Sequence, residues 1–163
     1  MAEVWVCNAS PIICLAKIAL PHLLVDLTSR LIIPEGVARE VETGPQGDPG
    51  VLWIRGPGAE FVLSPPAPIH SIAAWDLGLG ETQVLETASA EPGLIAVIDD
   101  LAARNCAKAH GLPVIGTLGV LVVAKKAGRI DSVAPHLAAL REVGLRADEA
   151  LTRRVLQLAG EKE

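Results

Sequence analysis

The run Leu94-Ile95-Ala96-Val97-Ile98 constrains this chain more than any other segment. Five consecutive aliphatic residues leave no polar face, so a strand built from them must be covered on both sides. A parallel sheet lying between two helix layers provides that cover. The run stops at Asp99-Asp100 and passes into a helical segment that reaches His110 and ends at Gly111. The same strand-then-helix order recurs along the chain. Residues 4–7 form an apolar run ending at Asn8, followed by Ala9-Ser10-Pro11, where Ser10 suits a helix cap and Pro11 the first turn. Leu31-Ile32-Ile33 precedes Pro34 and a helix over 35–42. Val114-Ile115 precedes Gly116-Thr117 and a helix to Lys126. The alternation predicts an α/β fold of three layers, α/β/α, with a central parallel sheet.

Between these units, residues 44–68 are dense in Gly and Pro. They read as an irregular excursion across the surface, with Trp53 and Phe61 in short extended pieces. A short helix from His70 leads through Trp75 to Gly78-Leu79-Gly80, and another helix starts at Glu81 and runs to about residue 90. Two amphipathic helices, about 133–142 and 148–159, finish the chain. The length of 163 residues suits one domain spanning 1–163, with 129–163 as a C-terminal helical extension.

Composition narrows the function. Trp5, Trp53, Trp75 and Phe61 are the only aromatic residues, so base-stacking platforms for single-stranded nucleic acid are disfavoured. The formal charge of −5 disfavours a general DNA-coating role but suits a pocket that holds cations. Cys7, Cys14 and Cys106 are odd in number and lack CxxC spacing; with His22, His70, His110 and His136 scattered singly, neither a disulfide framework nor a zinc site is expected. No apolar run reaches membrane length, and Met-Ala-Glu-Val-Trp lacks the basic region of a signal peptide. A cytoplasmic protein without a membrane partner is therefore expected. Gly78-x-Gly80 and Gly116-x-x-Gly119 complete no dinucleotide fingerprint.

In parallel α/β sheets the functional crevice lies beyond the carboxyl ends of the strands. Asp99 and Asp100 sit there side by side, where their like charges repel unless a cation neutralises them. Capping of the next helix accounts for one of the two carboxylates. Glu81 opens a helix, where its charge also suits the helix dipole, and Glu40 lies beside the apolar face formed by Val37 and Val41. Arg104 and Lys108, four residues apart, either steer a phosphate backbone or form a solvated face.

Five segments in order resemble the PIN-domain family, most closely its VapC-like branch. They are Cys7-Asn8-Ala9-Ser10-Pro11, Ile33-Pro34 through Glu40-Val41, Trp75-Asp76-Leu77-Gly78-Leu79-Gly80-Glu81, Ile98-Asp99-Asp100 through Arg104, and Gly111 through Gly119. The tail after Gly128 resembles the extension of an uncharacterised subgroup. The resemblance implies an Mg²⁺- or Mn²⁺-dependent ribonuclease that leaves a 3′-hydroxyl and a 5′-phosphate. It further implies the toxin of a toxin–antitoxin pair, an antitoxin protein as partner, and a homodimer. Carried over by position, Asn8, Glu40, Glu81 and Asp100, with Asp99 beside it, would hold the metal and act in catalysis. Ser10, Thr117 and Arg104 would line the pocket. The family usually has Asp where this chain has Asn8, which keeps a ligating oxygen but loses a charge. Asp76 is the candidate substitute. The departure leaves two readings: a weakened but metal-competent nuclease, or an inactive PIN-like module that binds RNA or a protein.

Overall fold

The computed structural model describes residues 3–162. The 94–98 run forms the strand β4, Leu94–Val97, and the first apolar run forms β1, Glu3–Cys7. They pair in parallel, Val4 opposite Leu94 and Cys7 opposite Val97. On the other side of β1 lies β2, Thr28–Pro34, whose buried half begins at Leu31. The short strands β3, Val62–Leu63, and β5, Val114–Ile115, complete a five-stranded parallel sheet of order β3-β2-β1-β4-β5. Flanking helices make the three-layer α/β/α architecture that the aliphatic strands require. Trp5, Ile33, Leu85, Ile98 and Leu121 are among the fully buried side chains. Each contributes about 1.5–3 kcal/mol relative to exposure.

Helices follow the strands as the sequence predicts. The first are α1, Ala9–Lys17, α2, Leu23–Asp26, and α3, Glu35–Glu42. The Gly/Pro-dense stretch departs from expectation. It contains a helix, α4, Pro49–Arg55, which carries a buried Trp53. Asp48 caps it, accepting from the Gly50 N–H at 2.9 Å, and Pro49 takes the first turn. Gly58 lies against the Trp53 ring; a Cβ there would sit 2.7 Å from ring carbons. Phe61 lies in a 3-10 turn rather than an extended piece. The chain continues through α5, His70–Ala73, α6, Leu79–Ala90, α7, Leu101–Ala109, and α8, Thr117–Lys126. Burial pushes the thiols of Cys7, Cys14 and Cys106 up, as suits small apolar residues of a core.

The last helices are α9, Ala134–Glu142, and α10, Glu149–Leu158. Leu137, Leu140, Val155 and Ala159 join the same apolar cluster as the sheet residues. Glu161 fastens this end. Its carboxylate pairs with Lys125 at 2.8 Å and accepts from the N–H groups of Val133 and Ala134, at 2.6 and 3.1 Å, and from Ser132 Oγ. One anion thus joins the end of α8 to the start of α9, where the helix dipole favours it. The Lys125 ammonium and the Val133 N–H hold its carboxyl down to about 2. The stabilisation is therefore complete above the ordinary Glu value of 4.5 and is lost as pH falls from there towards about 2. Glu161→Gln is expected to lower stability at neutral pH by about 2 kcal/mol. Urea midpoints at pH 7 and pH 3 check this: the difference between the two proteins should shrink at the lower pH.

All strands are parallel, so their carboxyl ends share one edge of the sheet. The chain leaves β1 towards β2 on one side and returns to β4 on the other. The crevice of such a sheet opens at this reversal, between β1 and β4. Asn8 follows β1 and Asp99 closely follows β4. The Asn8 N–H donates to the Val97 carbonyl at 3.0 Å, which brings the two strand ends together.

Candidate functional site

Asn8 stands at the position before α1 but caps nothing with its side chain. It is 2% exposed. Its Nδ2 amide donates to Glu81 Oε1 at 3.3 Å, while its Oδ1 is buried and has no hydrogen-bond partner. Such an orphaned acceptor costs about 1–3 kcal/mol and calls for an explanation. Glu40 comes to the same place from the last turn of α3, and Glu81 from the first turn of α6. Partial burial, with the nearby Glu81 charge, pushes the Glu40 carboxyl above its usual range.

Gly80 makes room for these oxygens. A Cβ at that position would lie 2.8 Å from Glu40 Oε2 and 3.2 Å from Asn8 Oδ1. A second close approach joins the helices bearing the two glutamates: the Gly36 N–H donates to Gln83 Oε1 at 2.7 Å. Gly80 and Gln83 are positioning residues that the sequence reading did not single out. The sequence signal is Gly36, a glycine inside the helical segment 35–42; Gly80 joins a helix only in the structure, where α6 starts at Leu79. Gly80→Ala is expected to push the Glu40 carboxylate away and weaken divalent-cation binding about tenfold, with stability changed by less than about 1 kcal/mol. Calorimetric titration with Mn²⁺, beside a thermal melt, measures both.

The Asp pair divides its work. Asp99 turns inward: its Oδ1 accepts from the Thr117 N–H at 2.7 Å, and its Oδ2 from Thr117 Oγ1 at 2.6 Å and Ser10 Oγ at 3.0 Å. Ser10 was expected to cap α1; its hydroxyl serves Asp99 instead. Asp100 is exposed and caps α7, accepting from the Ala103 N–H at 2.9 Å. Of the two, Asp99 is the carboxylate held by Thr117 and Ser10, and Asp100 is the one that caps α7. Arg104 reaches back from α7 to donate to the Ile98 carbonyl at 3.1 Å. Asp76 is exposed, at a turn residue of positive φ, and no contact ties it to Asn8.

The site therefore has two neighbouring parts. One is the oxygen cluster of Asn8, Glu40 and Glu81; the other is the clamp of Ser10, Asp99 and Thr117. Among the described residues no three His, Cys, Asp or Glu side chains converge into a ready-made metal cluster. The residues nonetheless fit a hard cation in donor chemistry: two carboxylates and a free carbonyl oxygen, all oxygen ligands. No helix among the described residues is long and apolar enough to cross a membrane. No curated protein matches the chain. A family model described as a PIN domain matches residues 4–161, nearly the whole chain. With the parallel sheet, the acidic crevice and this match in hand, the chain belongs to the PIN-domain family, whose fold is of nuclease type.

Proposed function

We propose that this chain is a metal-dependent ribonuclease of the VapC-like branch, and that Asn8, Glu40 and Glu81 hold a divalent ion, Mg²⁺ or Mn²⁺. In this reading it is the toxin of a toxin–antitoxin pair and works as a homodimer on RNA. The observation that carries it is the unpartnered Oδ1 of Asn8, buried beside Glu40 and Glu81. A cation there would satisfy the oxygen and relieve the repulsion between the carboxylates. When bound, the ion supplies an activated water near neutral pH and stabilises the leaving oxygen of an in-line displacement.

The protein's own groups do the rest. Glu40 and Glu81, from two helices fastened by the Gly36–Gln83 bond, set the spacing of the negative charge. Asp99, fixed by three donors, forms the adjoining wall. Arg104 lies on that side and offers a cation to the RNA phosphates. Asp100 has no part in this reading beyond capping α7.

A second reading rests on the Asn8–Glu81 bond. An amide N–H on Glu81 supplies some of the stabilisation a cation would give, so the module could bind RNA or a protein without cleaving. An RNA cleavage assay with and without Mn²⁺ separates the readings, with Glu81→Gln as control. Metal-dependent cleavage that falls at least about tenfold in Glu81→Gln supports the nuclease. Equal cleavage by both proteins marks contamination, and RNA binding without cleavage supports the second reading.

A further inference from the structure

A groove of about 460 Å³ runs along the open edge of the sheet, between β5, α8 and α10. β5 is an edge strand. The Pro113 and Ile115 carbonyls accept from β4, so by the alternation of a strand the Val114 carbonyl points away from β4. The floor is aliphatic, built from residues such as Ile115, Leu118, Val122 and Val155. Large apolar side chains stand open at its rim: Leu101 is 72% exposed, Leu151 42% and Leu158 51%. Leu151 and Leu158 lie two turns apart on α10 and so share one face. A second depression shares Leu101, Arg104 and Val114 with this groove and extends it towards Lys108.

The charge in the lining is mostly positive, three arginines against one carboxylate. Arg104, Arg146 and Arg154 line the groove, and among the described residues none of them forms an ion pair. Asp99 is the acid in the lining, and its carboxylate is already held by Thr117 and Ser10. In a chain of net charge −5, three unpaired arginines around an apolar floor mark a surface that complements an acidic, leucine-bearing segment. RNA fits it less well, because the lining has no aromatic ring on which a base could stack.

We infer that this groove docks an acidic amphipathic segment of a protein partner, its leucines on the aliphatic floor and its carboxylates on Arg146 and Arg154. The groove shares Asp99 and Arg104 with the site above, but the inference does not rest on the nuclease reading. It would hold equally for an inactive module.

Two fluorescent peptides test it, both helix-forming with leucines three and four residues apart. One carries Glu at its polar positions, the other Lys. The acidic peptide should bind saturably, and the basic one about tenfold more weakly or not at all. Leu151→Glu and the double variant Arg146→Glu, Arg154→Glu should each weaken the acidic peptide by about tenfold or more, with circular dichroism and melting unchanged. All these positions are exposed, so loss of folding is not expected. No saturable binding of the acidic peptide, equal binding of both peptides, or undiminished binding in both variants would overturn the inference. So would binding of an oligouridylate, lost in the same variants, which assigns the groove to RNA. A dimer in sedimentation velocity that Leu151→Glu dissolves would assign it to a second copy instead.

Discussion

Asp99→Ala is expected to cost about 3 kcal/mol of stability, and its neighbour Asp100→Ala only about 1 kcal/mol. The difference lies in what each carboxylate leaves behind. Asp99 accepts from both the N–H and the hydroxyl of Thr117, a residue 0% exposed, and from Ser10. Truncation strands two polar groups of a buried residue and removes the anion from the start of α8. Asp100 is exposed and accepts from one N–H, which water can satisfy in its absence. Asp99→Asn keeps an acceptor for the Thr117 N–H, and the hydroxyls can reorient, so its loss should be intermediate. Urea midpoints at constant slope give all three values. Equal losses for the two alanine variants would mean that the clamp does not hold β4 to α8.

The clamp also shows where sequence reading stops. Two adjacent acids at a strand end announce a site, but sequence gives them equal weight. Asp99 turns its carboxylate to Thr117 and Ser10, whereas Asp100 turns its own to the Ala103 N–H of α7. Which does which depends on where Thr117 and Ser10 arrive from β5 and β1, and no local pattern carries that. The aliphatic strands were legible for the opposite reason. Burial on both faces writes itself into every residue of 94–98.

The two-residue strand β3 was not legible, because Val62-Leu63 is too short to show a period and pairs only because the edge of β2 is free. The helix α4 was legible in principle from Asp48-Pro49, but the surrounding glycines and prolines outweighed that signal. At the site, Asn8, Glu40 and Glu81 were named from resemblance, and the structure brings their oxygens to one place. Gly80 and Gln83 belong to the same geometry through contacts between helices that sequence spacing alone does not reveal.

The second large effect concerns Asn8 itself. Asn8→Asp adds a third carboxylate to Glu40 and Glu81, which should strengthen divalent-cation binding by about a hundredfold, or roughly 2.7 kcal/mol. Without metal the same change should destabilise the protein by on the order of 2 kcal/mol, since it removes the amide bond to Glu81 and adds a like charge in a buried position. Metal should restore that loss, so the melting temperature of Asn8→Asp should respond to Mn²⁺ more than that of the native protein. A purely structural Asn8 would show the destabilisation without the recovery.

Calorimetric titration of Mn²⁺ into the native protein and Asn8→Asp is the most direct measurement of the central claim. Saturable binding is expected in both, tighter in Asn8→Asp. Absence of binding to either protein at millimolar metal, or weaker binding in Asn8→Asp, would contradict it.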